Sequence, residues 1–260
     1  MPAPTVESHA NSTPSGGTTA TIAVNAAGSG RVIIVCAAIG STTSAVPTAT
    51  ISSANPNIGP WTAVAATSGV NNGSNGAGAG CLIQAWYAVT TGSVSGATVT
   101  ITSSTTIDNA GLVYLTVAGA AGAQPLDQNA SLAHGGGLGS SATAWFTTGP
   151  APGTFPMSCA VGTNTANVRA LTIMGSNVSV TGAGSLQSGT TVVDSARNGG
   201  GTLWAYLDVY TASFSTPQSA TQVGSVSVNL QSVWGTFGLG VTADAQAGGA
   251  VAQARAMVLA

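Results

Sequence analysis

The stretch "ATVTIT", residues 97–102, sorts its side chains into two sets, with Val99 and Ile101 on one side and Thr98, Thr100 and Thr102 on the other. A period of two marks a β-strand with one buried and one wet face. The wet face is threonine, whose branched Cβ favours extended backbone while its hydroxyl meets water. The same device recurs in "TATIAVN" (19–25), "VSVT" (178–181) and "VGSVSVNL" (223–230). Helical periodicity is nearly absent, and 36 glycines and 11 prolines punctuate the chain as turns between short strands would. The expectation is an all-β sandwich with less than about a tenth of its residues in helix.

Threonine on the wet faces also explains how the chain does without charge. Only ten of 260 residues are charged, four Arg and six Asp or Glu, and none lies between Arg31 and Asp108. An ordinary soluble chain has about a quarter. Hydroxyl and amide groups take over the solvating role, and a hydrophobic share of 44% supplies a core. A net charge of −2 offers no basic field for phosphates, so nucleic acid is not expected as a partner. It also gives little repulsion between copies, which favours a homo-oligomer or a permanent assembly. The N-terminus lacks the basic and apolar regions of a secretory signal. The apolar runs fall short of the roughly 18 residues a spanning helix needs, and no membrane insertion is expected.

Two halves of the chain look alike. "RVIIVCAAIGS" (31–41) is echoed by "VRALTIMGSN" (168–177), and "GCLIQAWYAVTT" (80–91) by "GTLWAYLDVYTA" (201–212). "ATVTITS" (97–103) is echoed by "GSVSVNLQ" (224–231), and "AGLVYLTVAG" (110–119) by "WGTFGLGVTA" (234–243). Four matches in one order suggest a duplicated unit, although generic strand patterning can imitate a repeat. The expected organisation is an extended N-terminal arm (1–17), a sandwich (18–243) and a C-terminal docking tail (244–260). Within the sandwich, halves 18–122 and 140–243 would be joined by a Gly/Ala-rich loop. The arm shows no alternation that would place it in a sheet. The tail carries Arg255 together with Met257, Val258 and Leu259, whose apolar side chains gain by docking on a neighbour.

The catalytic inventory is thin, and no enzyme is expected. His9 lies in the arm and His134 in the central loop, where Asp127 is its nearest acidic partner. No G-x-S-x-G elbow accompanies that pair, and "GGGLG" (135–139) lacks the strand–turn–helix setting of a phosphate loop. Cys36, Cys81 and Cys159 have no C-x-x-C pair or adjacent histidine, so neither metal nor cofactor is expected. They read as buried free thiols, with a disulfide between two of them as the other possibility.

One strand carries more information. In "LWAYLDVY" (203–210) the alternation sets Trp204, Tyr206, Asp208 and Tyr210 on one face. Such a row suits a second core face, a subunit interface rich in aromatics, or a platform for sugar rings with a carboxylate for their hydroxyls.

The order of segments "GSGRVIIVCAAIG" (28–40), "NIGPWTAVAAT" (57–67), "LIQAWYAVTT" (82–91), "ATVTIT" (97–102) and "GLVYLTVAGAAGAQPLD" (111–127) resembles a loosely defined group of jelly-roll proteins. These are common among virion proteins of tailed bacteriophages, as capsid decoration or minor tail proteins. The chain departs from the group's "E-Y-S-G" strand ending, having "LTVAG" (115–119) instead. The resemblance implies a jelly-roll-like two-sheet β-sandwich and a non-enzymatic structural virion protein, made in the host cytoplasm. Its partners would be copies of itself and other virion proteins. The alternative is a carbohydrate-binding or adhesive module whose row at Trp204 contacts host-surface glycans.

Overall fold

The computed structural model describes residues 2–43, 45–71, 79–121, 125–126, 154–163, 166–176, 191–200, 203–229 and 234–243. They are all-β, with no helix among them. The first half contributes β1 (Thr5–Ser12), β2 (Thr19–Ala26), β3 (Val32–Ser41), β4 (Ala49–Ser53), β5 (Thr62–Asn71), β6 (Ala79–Val89), β7 (Val94–Ser103) and β8 (Asn109–Ala118). The second contributes β9 (Thr154–Thr163), β10 (Val168–Ser176), β11 (Thr191–Gly200), β12 (Leu203–Phe214), β13 (Gln218–Asn229) and β14 (Trp234–Thr242).

A five-stranded sheet, β1-β8-β3-β6-β5, lies against a three-stranded one, β2-β7-β4. The first strand lies beside the last, and the chain passes repeatedly between the two sheets, as in a β-sandwich. In the second half a four-stranded sheet, β11-β12-β10-β14, lies against the β13-β9 pair. The echoed segments occupy equivalent places. Strands β8, β3, β6 and β5 follow one another as β14, β10, β12 and β11 do, and β2 pairs with β7 as β9 pairs with β13.

The five-stranded sheet is shared between two cores. Ile33, Val35, Ala37 and Ile39 of β3 pack with Ile22, Val24, Val99 and Ile101 of the small sheet. Val32, Ile34, Cys36 and Ala38, on the opposite face of β3, pack with Leu171, Ile173, Leu207 and Val209 of the second half. All ten residues of β3 are therefore buried. That accounts for the unbroken run "VIIVCAAI", since a strand covered on both faces has no wet side to alternate with. Within the β-sandwich class the layers thus number more than two. The halves meet closely, and the two glycines at the contact leave no room for a side chain. A Cβ on Gly175 of β10 would stand 2.8 Å from Ile83 of β6, and one on Gly111 of β8 would stand 3.0 Å from the Ala196 carbonyl of β11.

The N-terminal segment differs from a free arm. Residues Thr5–Ser12 form edge strand β1, antiparallel to β8, with Glu7 at an irregularity in the register. An edge strand needs little apolar surface, because its backbone ladder and a few partly covered side chains hold it. Here those are Val6 and Ala10, each packed against a different core. The tail, with Arg255, Met257, Val258 and Leu259, lies outside the described residues, as does the loop bearing Asp127 and His134.

Candidate functional site

With so few charges, each one marks a place where the fold uses electrostatics. Seven of the ten lie among the described residues, and all seven have partners. Arg31, entering β3, donates from Nε to both carboxylate oxygens of Glu7 at 3.1 Å. Its terminal nitrogen also stands 3.0 Å from Glu7 Oε1. Asp108 accepts the Thr42 backbone N–H at 2.6 Å and the Thr42 hydroxyl at 3.0 Å. The remaining four fall into two groups, one between the halves and one inside the second half.

The first group fastens β1 onto the second half. Asp194 of β11 accepts from His9 Nδ1 at 2.9 Å, Asn11 Nδ2 at 2.7 Å and the Ser195 N–H at 2.8 Å. Partial burial alone would raise the Asp194 pKa. The three hydrogen bonds and the charge attraction of His9 outweigh it and hold the carboxyl below its ordinary value. Arg169 of β10 donates from Nε to the Pro4 carbonyl at 2.7 Å. Asn198 of β11 donates to the carbonyls of Thr13 at 3.1 Å and Pro14 at 3.0 Å. A single strand thus belongs to the first half by its backbone and to the second by its polar contacts. Sequence reading missed this group, because His9 and Asp194 stand 185 positions apart and neither sits in a motif.

The second group is the row on β12. Ala205, Leu207 and Val209 are buried, the latter two in the core shared with the five-stranded sheet. Tyr206, Asp208 and Tyr210 point the other way, toward β9 and β13, and are also buried, at 1%, 3% and 2% exposure. Both phenols donate to Asp208 Oδ2, Tyr206 in a short contact and Tyr210 at 2.9 Å. Arg197 of β11 donates to the Tyr206 oxygen at 3.0 Å and lies over that ring, 4.8 Å from its centroid. Burial raises the Asp208 pKa despite the two phenol donors and the charge of Arg197. Burial and the neighbouring Asp208 likewise raise both tyrosines. Trp204 takes its place on β12 opposite Gly199 of β11, while its side chain lies outside the described part.

A sugar ring stacks on an accessible aromatic face, and Tyr206 and Tyr210 present none in this state. The row is a covered hydrogen-bonded patch. Arg197 donates to Tyr206 and both phenols donate to Asp208, and nothing in the set is an activated nucleophile. Cys36 and Cys81 are buried free thiols, with burial pushing Cys81 up to about 12 and Cys36 higher still. The side chain of Cys159 is outside the described part. Among the described residues, no three His, Cys, Asp or Glu side chains gather as a metal site requires.

Fold and polar groups together define an all-β protein of stacked antiparallel sheets. No protein-family model, no curated protein and no solved structure matches this chain.

Proposed function

We propose that the chain is a non-enzymatic structural protein that acts through contacts with copies of itself and with other proteins of an assembly, as a capsid decoration or tail component of a tailed phage. The observation that carries this reading is how the charges are used. All seven described charged side chains serve internal contacts that fasten strands and halves together. The outer face of β2 and β7 is left to Thr19, Thr21, Thr98 and Thr102, exposed and uncharged. A strand buried on both faces, with an uncharged, hydroxyl-rich outer face on β2 and β7, suits a part that must be rigid and must tolerate close neighbours. The order β1-β8-β3-β6 beside β2-β7-β4 resembles a jelly-roll wrapping, which also occurs in viral capsid domains, and supports this reading.

The test is mass spectrometry of purified particles, with copy number per particle. Hundreds of copies indicate decoration, a few indicate a tail position, and absence from particles combined with a stable monomer on sedimentation refutes the proposal. Deleting residues 245–260 is expected to leave the melting temperature unchanged and to reduce incorporation. A truncated chain that assembles normally removes the tail from the contact surface.

A further inference from the structure

Two buried oxygens on the inner face of the second half have no partner among the described residues, Asp208 Oδ1 and Thr172 Oγ1. Thr172 is fully buried and Asp208 nearly so. An orphaned buried polar atom costs about 1–3 kcal/mol, and native folds seldom leave one unexplained. These two lie close together. In the β10–β12 register Thr172 stands opposite Tyr210, and Met174 opposite Asp208. Thr172 and Asp208 are therefore diagonal neighbours on one face. Such residues sit about 7–8 Å apart at the backbone, and one bridging molecule making two hydrogen bonds of about 2.8 Å can link their side chains.

We infer that Asp208 Oδ1 and Thr172 Oγ1 bind one internal water between them, completing a hydrogen-bonded chain from Arg197 through Tyr206 and Asp208 to Thr172 across three strands. The donors and acceptors match. Oδ2 already takes both phenol protons, so a neutral Asp208 would carry its proton on Oδ1 and donate it to the water. The water in turn donates to the threonine hydroxyl. A hard cation is a poor occupant, since calcium takes six to eight oxygen ligands and Arg197 already brings positive charge to the cluster. An empty gap is poorer still, because it leaves both oxygens desolvated and unbonded. Buried waters usually occupy sites of this kind.

The test combines a map with a substitution. A high-resolution crystal structure of the full chain is expected to show a water within hydrogen-bond reach of both oxygens, and direct contact of the oxygens or empty density between them overturns the inference. In solution, Thr172→Val removes one end of the bridge while keeping the shape. If the site holds water, the variant loses one long-lived water by oxygen-17 relaxation dispersion and melts lower, by roughly 2–4 °C. If the threonine hydroxyl is a dry orphan, the variant melts at the same temperature or higher with its water count unchanged, and the inference fails. Thr172→Ser, which keeps the hydroxyl, is expected to retain the water, and its loss there also counts against the bridge.

Discussion

Replacing Asp194 by Ala should loosen β1 from the second half and leave the cores intact. The carboxylate accepts three hydrogen bonds, from His9, Asn11 and the Ser195 N–H. A hydrogen bond to a charged group contributes about 1.5–3 kcal/mol when its donor stays buried. Here the His9 side chain is 48% exposed and Asn11 is exposed, so both donors regain water when the acceptor goes. The net loss is then about 1–2 kcal/mol, a fall in melting temperature of roughly 3–6 °C for a domain of this size. The pH dependence identifies the source. The folded pKa of Asp194 lies below its ordinary value. Its contribution is therefore fully present above about pH 4, the range of an unperturbed carboxyl, and is lost as pH falls through the folded value. The gap between the parent protein and Asp194→Ala should hold from neutral pH down to about 4 and close in stronger acid. Hydrogen exchange adds the location, with amides of Thr5–Ser12 expected to exchange faster in the variant and those of β3 unchanged. A gap that persists at low pH, or faster exchange spread over both cores, would refute the fastening role.

Three further outcomes are expected. Asp208→Asn should raise the melting temperature at pH 7, since the raised pKa of the buried acid means that the parent is most stable below the ordinary carboxyl pKa and loses stability as pH rises through the folded value. The advantage should vanish in acid, and an Asn variant that melts lower at pH 7 would show that the ionised carboxylate is favoured in the fold. Gly175→Val drives a side chain into Ile83 across the contact between halves and should cost about 1–3 kcal/mol by thermal melting, whereas Gly96→Ala, near the start of β7 with open space around it and a positive φ, should cost only its backbone strain. Cys36 and Cys81 should resist a thiol-alkylating reagent at pH 8 until the protein is denatured, as mapped by peptide mass spectrometry; labelling of either in the native protein would contradict their burial.

Much of the fold was legible because its strands are locally simple. "ATVTITS" alternates as β7, and its burial follows the same beat, with Val99 and Ile101 buried and Thr98 and Thr102 exposed. Each echoed segment became a strand in an equivalent place of the other half. What sequence could not supply is whatever depends on distant coverage. The alternation of "LWAYLDVY" sets Tyr206, Asp208 and Tyr210 on one face. Whether that face is wet depends on where β9 and β13 lie, and nothing within eight residues encodes that. Strand β1 escaped notice for a related reason. Its alternation is between exposed and half-covered positions, and its few apolar residues leave a weak periodic signal. Its place is decided by the open edge of β8 and by acceptors and donors in the other half of the chain.

The scarcity of charge and the position of β1 belong to one argument. An apolar contact between halves is non-directional, so burial alone would let two such surfaces slide or pair with the wrong neighbour. A chain with a quarter of its residues charged can set orientation through many weak pairs at the rim. This chain has few, and it concentrates them on one strand, where Glu7 meets Arg31, His9 and Asn11 meet Asp194, and the flanking carbonyls meet Arg169 and Asn198. Directional bonds at that one edge can set the register of the halves while glycine at 111 and 175 lets them close. The outer face of β2 and β7 can then do without charge. On this account Asp194 cannot be moved without loss, because exchanging it for a carboxylate elsewhere keeps the net charge and removes the alignment.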